Sequence, residues 1–271
     1  MSTELYGKKV VLTRTPEQSK AMTRDLQDLG TEVISFPTIR LIPPPDESII
    51  KEAIREIDTY EWIILTSVNA VEHFFKYLGK VDASTLPKVA VVGPATEKAL
   101  EKHGGTAYVV AESFQQEGLV EVFSTLPHSA QADKSHKGKV LMPRSLEARD
   151  VLFKSLPKLG YELTVAPVYK TVQAAYNPAS LATLRSADAV VFTSPSTVKN
   201  FTSILDGAGK NQLLSDVGQG SSYDFLNTCK VYSIGPVTSA ELHKHPIDRD
   251  RIYMAAEATG TSLVQRIAET L

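Results

Sequence analysis

At 271 residues the chain is long enough for one large domain or two small ones, each with a buried core. Hydrophobic residues make up 42% and charged residues 22%, the balance of an ordinary soluble globular protein, and the formal net charge is only −2. That charge argues against sequence-independent binding of nucleic acid, which needs a basic face, but leaves room for a local basic cleft facing an acidic small molecule. The single cysteine, Cys229, allows no intrachain disulfide and suits a reducing compartment; its place at the start of an expected buried strand predicts a core group rather than a nucleophile. Met1 to Lys9 lacks an apolar signal region, and no apolar run approaches the ~20 residues that span a bilayer, so a cytoplasmic setting without membrane contact is expected.

In chain order, Lys9 to Thr13 reads as a buried strand, and Thr15-Pro16 caps a helix that runs to Leu29 and stops at Gly30. A strand over Thr31 to Phe36 completes a βαβ unit. An extended crossing, Phe36-Pro37-Thr38-Ile39-Arg40-Leu41, leads to Pro43-Pro44-Pro45. Helices over Glu47–Ile57, Val68–Leu78, Ala95–His103 and Gln115–Thr125 alternate with strands over Trp62–Leu65, Lys88–Val92 and Thr106–Val110. Pro127 to Gly138 is polar and aperiodic, and is expected to be an exposed loop.

The pattern then restarts. Gly138-Lys139-Val140-Leu141-Met142-Pro143-Arg144 echoes Gly7 to Arg14, and a helix over Leu146–Leu159 and a strand over Glu162–Ala166 follow. The crossing Ala166-Pro167-Val168-Tyr169-Lys170-Thr171 follows Gly160 at the interval that separates Pro37 from Gly30. A short helix over Ala179–Arg185 comes next. Ala189 to Ser194 echoes Ile63 to Ser67, and Val231 to Thr238 echoes Val89 to Thr96. A helix over Thr197–Leu205, a strand over Arg251–Ala255 and a helix over Thr261–Leu271 complete the chain. The fold class is α/β: two doubly wound parallel-sheet domains from an internal duplication, joined by a two-stranded β linker. Periodicity alone fits two sequential halves as well as two interleaved ones.

Thr13-Arg14, Thr66-Ser67, Gly93-Pro94, Arg144-Ser145, Thr193-Ser194 and Gly235-Pro236 all fall where a strand hands over to a helix. In parallel sheets these carboxyl ends form the ligand-binding edge, and helix starts there favour anions. Arg14, Arg40, Arg144, Arg149 and Lys170 supply cations nearby. Each feature has an ordinary explanation: Thr-Ser is a helix cap, Gly-Pro is turn chemistry, and a lone arginine is a surface charge. Recurrence at equivalent places in both halves favours a ligand. No Gly-x-Gly-x-x-Gly follows the first strand, and there is no Walker loop, no Gly-x-Ser-x-Gly elbow and no histidine cluster beyond His243-x-His245, so neither nucleotide binding by those devices nor a metal site is expected.

Seven segments, in this order along nearly the whole chain, resemble the uroporphyrinogen-III synthase family: Leu12-Thr13-Arg14, Ile64 to Val71, Val92 to Thr96, Pro167 to Thr171, Phe192 to Ser196, Ile234 to Thr238 and Ala256-Glu257-Ala258. The resemblance implies interleaved domains: residues 1–37 plus 174–271 in one, 44–166 in the other, and 38–43 and 167–173 as linker strands. It implies conversion of hydroxymethylbilane to uroporphyrinogen III, with loss of water and inversion of the last pyrrole ring and without metal or organic cofactor, by a monomer supplied by the preceding enzyme of the pathway. It matches Tyr169 to a tyrosine beside the leaving hydroxyl, and Thr96 and Thr238 to cleft hydroxyls. Thr66, Ser67 and Ser194, with helix-start amides, would hold acetate and propionate groups, alongside Arg14, Arg144 and Lys170. Val237 departs from the pattern, since some relatives carry a second threonine there. The contrasting expectation is a non-catalytic tetrapyrrole or anion sensor on the same scaffold.

Overall fold

The computed structural model describes residues 5–111, 116–126, 138–147, 151–176, 178–210 and 222–271. Most of the expected loop, 127–137, and the candidate cation Arg149 lie outside them. Contacts divide the chain into two units, one of residues 1–40 and 172–271 and the other of residues 41–171.

The first unit carries a five-stranded parallel sheet in the order β11-β10-β9-β1-β2. Its strands are β1 (Lys9–Leu12), β2 (Glu32–Ser35), β9 (Ala189–Phe192), β10 (Lys230–Ser233) and β11 (Ile252–Met254). Side-chain alternation splits β9 between two cores. Val190 and Phe192 face α8 (Pro195–Lys210), α9 (Ser222–Leu226) and α10 (Pro236–Leu242), while Ala189 and Val191 face α1 (Pro16–Asp28) and α11 (Gly260–Thr270). Gly30 follows α1 with φ +85°, the left-handed geometry that ends a helix at little steric cost in glycine.

The second sheet has the order β3-β8-β7-β4-β5-β6. It comprises β3 (Ile39–Ile42), β4 (Trp62–Leu65), β5 (Lys88–Val92), β6 (Ala107–Ala111), β7 (Lys139–Ser145) and β8 (Glu162–Gln173). Ile63 and Leu65 pack with α2 (Ser48–Arg55), α3 (Val68–Leu78) and α4 (Pro94–Lys102); Trp62 and Ile64 pack on the other face with α5 (Gln116–Thr125) and α6 (Val151–Ser155). Both sheets therefore read as double-sided, apolar-run strands. In each sheet a βαβ pair from one half of the repeat lies beside three strands from the other half: β1–β2 with β9–β11, and β7–β8 with β4–β6.

Three expectations change. The break at Pro167, between a strand over 162–166 and a linker over 167–173, is absent: β8 runs unbroken through it. A register shift beside Arg144 and Pro167 leaves an extra residue before Tyr169 pairs with Ser145, and such a bulge accommodates a residue with no N–H. Pro143 is tolerated inside β7 because the described pairing with β4 ends at Leu141. Of the helix expected over 146–159, Leu146 and Glu147 form a turn, and α6 gives way after Ser155 to a one-turn 3-10 segment at Pro157–Leu159; α9 has no counterpart in the sequence reading. Among the described residues no helix is long and apolar enough to cross a membrane.

Asp188, one residue before β9, ties the first sheet together. Its carboxylate accepts from the Lys9 amide (2.9 Å) and the Lys8 ammonium (3.0 Å), and its carbonyl accepts from the Lys230 amide (2.9 Å). Burial pushes the Asp188 pKa upward, but the Lys9 amide and the lysine charges outweigh it, so the net pKa falls below the ordinary 3.8. A carboxyl with a depressed folded pKa stabilises the fold above its unfolded pKa, and that contribution is lost as pH falls through the folded value. Asp188→Asn is expected to destabilise the protein by about 1–2 kcal/mol at neutral pH. The gap should close in acid below the ordinary carboxyl range, as chemical denaturation at several pH values would show.

Candidate functional site

In each doubly wound sheet, the place where the strand order reverses opens a crevice at the carboxyl ends of two neighbouring parallel strands. In the first unit these strands are β1 and β9. Thr13, buried at the end of β1, donates its hydroxyl to the Val191 carbonyl (2.7 Å), and its own carbonyl accepts the Thr38 amide (3.0 Å). With Thr13 pinned, the chain turns into α1 and Arg14 lies at the crevice. The Arg14 Nε donates to Gln18 Oε1 at 3.1 Å, and burial lowers the guanidinium pKa below its ordinary value. Ser194, across the crevice, accepts the Thr197 amide at 3.3 Å and shares a hydrogen bond with the Ser196 hydroxyl at 2.9 Å, so it caps α8. Thr238 is buried in α10, beside Ser239, whose hydroxyl meets that of Ser233.

In the second unit the corresponding strands are β4 and β7. Ser67 accepts the Ala70 amide at 3.2 Å as the N-cap of α3. Thr66, just before it, is half-buried. Arg144 lies inside β7 at 6% exposure and donates to the Ser145 carbonyl at 3.3 Å, so it is a buried group rather than a charge at the rim. Thr96 is buried in the first turn of α4. Among the described residues the hydroxyls of Thr66, Thr96 and Thr238 make no hydrogen bond, and none is a fully enclosed orphan. The serines thus cap helices, as the ordinary explanation holds, while the three threonine hydroxyls are available.

Tyr169 lies on β8, with its carbonyl accepting the Leu146 amide at 2.9 Å. Its ring is packed into the second unit's core at 7% exposure, against the His73 imidazole with centroids 5.0 Å apart. Among the described residues its phenol oxygen makes no hydrogen bond and is not one of the sealed, unsatisfied polar atoms, so it keeps a path to solvent. Lys170, the next residue along the strand, is half-buried. Arg40 is exposed. Cys229 is buried with its thiol pushed up to about 12 by burial, which removes the thiolate a nucleophile needs. Within the first unit the fold thus gathers Arg14, Ser194 and Thr238 at one sheet edge. Within the second it places Thr66, Ser67, Thr96, Arg144, Tyr169 and Lys170.

Residues 20–265 match the family model described as "Uroporphyrinogen-III synthase HemD". The chain belongs to the uroporphyrinogen-III synthase family. It is 32% identical over 247 residues to a putative uroporphyrinogen-III synthase of Methanothermobacter thermautotrophicus, covering 88% of this chain and 90% of that protein. It is 31% identical over 242 residues to the uroporphyrinogen-III synthase of Synechococcus elongatus, covering 87% of this chain and 85% of that one. The crystal structure of uroporphyrinogen-III synthetase from Helicobacter pylori 26695 superposes with a TM-score of 0.60 at 16% identity, covering 97% of this chain and 100% of that chain; this supports the fold. In this family member, two site neighbours escaped the sequence reading. Gln18 had a local signal, four residues after Arg14 on the first turn of α1. His73 had none, because only the tertiary fold brings α3 against β8.

Proposed function

We propose that this chain works as a uroporphyrinogen-III synthase, a lyase that closes hydroxymethylbilane to uroporphyrinogen III with loss of water. Its membership of the family, spanning most of its length, carries the reading. The Tyr169 phenol donates to the departing hydroxyl, and its accessible, unpartnered oxygen suits that role. Loss of water leaves an electrophilic methylene that attacks the substituted carbon of the last ring, and a spiro intermediate fragments and recloses with that ring inverted. The linear substrate closes unaided without inversion, so the protein's main contribution is geometric: holding the carboxylate arms fixes which carbon meets the electrophile. Thr66, Thr96 and Thr238 offer hydroxyl donors to those arms, with Arg14 and Lys170 as cations and Ser67, Ser194 and Arg144 shaping the sheet edges. The working form is taken to be a cytoplasmic monomer supplied by the preceding enzyme, in keeping with one buried cysteine and a near-neutral charge.

Supplying hydroxymethylbilane and separating the product isomers tests the reading. Predominantly type III product is expected. Type I alone, at the uncatalysed rate, rejects the synthase, and tight binding of unchanged tetrapyrrole would point to a sensor.

A further inference from the structure

A cavity of about 230 Å³ opens within the first unit, at the crevice between β1 and β9. Its lining joins the polar Arg14, Gln18 and Thr193 to the apolar Met22 and Ile234, with Gly260 at the start of α11. Arg14 has no carboxylate within ion-pair distance among the described residues, and only its Nε is engaged, by Gln18. Both Nη groups stay available as the fork that recognises a carboxylate. A cation held partly out of water beside an apolar wall suits an anion attached to an apolar ring. Arg144, its counterpart in the repeat, is instead buried inside β7, so the two arginines have diverged.

We propose that this cavity seats a single carboxylate-bearing pyrrole ring of the substrate, with Arg14 gripping one carboxylate, Gln18 setting the plane of the guanidinium, and Met22 and Ile234 packing on the ring. The volume holds one substituted ring, not the whole tetrapyrrole. This rests on the synthase reading. Gln18 is a positioning residue, because it acts through Arg14.

The probe is a monopyrrole with one acetate and one propionate arm, added at millimolar concentration to the full chain carrying 13C-labelled methionine methyls. The Met22 signal should shift, while those of Met142 and Met254, which do not line the cavity, stay in place. Gln18→Leu should weaken the Met22 response and raise KM for hydroxymethylbilane by about 10-fold, with a much smaller change in kcat. At Gly260 a Cβ would meet Met22 Cε at an ordinary 3.6 Å, so Gly260→Leu fills the cavity from its rim. It should abolish the Met22 shift while unfolding near the native temperature. If that variant does not fold, Gln18→Leu decides alone. A silent Met22 signal, or a native KM in Gln18→Leu, overturns the proposal. If the native chain yields type III product while Met22 is silent, only the cavity assignment falls; if it yields none, the synthase reading falls.

Discussion

Replacing Tyr169 with phenylalanine is expected to cut turnover of hydroxymethylbilane by at least ~10-fold while leaving the fold intact, because general-acid help from a positioned side chain is worth about 10²–10⁴ in rate. The ring of Tyr169 is packed with its neighbours in the second unit's core, and phenylalanine keeps that packing. The hydroxyl makes no hydrogen bond among the described residues, so its removal leaves no buried partner unsatisfied. A loss of rate at unchanged thermal stability therefore isolates proton donation. Unchanged turnover would reduce Tyr169 to a packing residue. The His73 imidazole against the ring face allows a companion measurement: truncation to alanine should loosen the ring, and phenylalanine at 73 should restore it.

Phe201→Ala is expected to cost about 3–5 kcal/mol of stability, the usual range for emptying a buried aromatic position. Phe201 is fully buried in α8 at the centre of an aromatic cluster. Its ring meets Phe36 edge-on at 5.4 Å, Phe192 edge-on at 5.4 Å and Phe225 at 6.0 Å. Against a typical total of about 5–15 kcal/mol, that loss is severe. Phe192 directly precedes Thr193 and Ser194, so loosening this cluster also releases the end of β9 that carries the first unit's crevice. Phe201→Leu, which preserves most of the volume, should cost clearly less. Urea denaturation of both variants measures the difference, and a loss below about 1 kcal/mol for Phe201→Ala would show that the site collapses without penalty.

Local chemistry made much of this protein legible. Four-residue apolar runs such as Trp62–Leu65 and Ala189–Phe192, too short for an ordinary helix, fit strands buried on both faces, and both are such strands. Positive-φ glycines at 30, 79 and 160 end helical segments where glycine's freedom predicts a stop. The echo between the two halves foretold two sheets of one design, and the strand-end hydroxyls lie at their carboxyl edges because parallel strands leave them no other place. The tertiary structure decided what depends on neighbours distant in the chain. Pro167 stays within β8 in register with Arg144, and the bulge against β7 falls on Val168 beside it, which no local pattern encodes. Arg14 and Arg144 occupy equivalent places in the repeat, yet one faces a cavity and the other is enclosed, since burial is set by packing rather than by residue type. His73 meets Tyr169 for the same reason: side chains nearly a hundred residues apart touch only once α3 docks on the sheet.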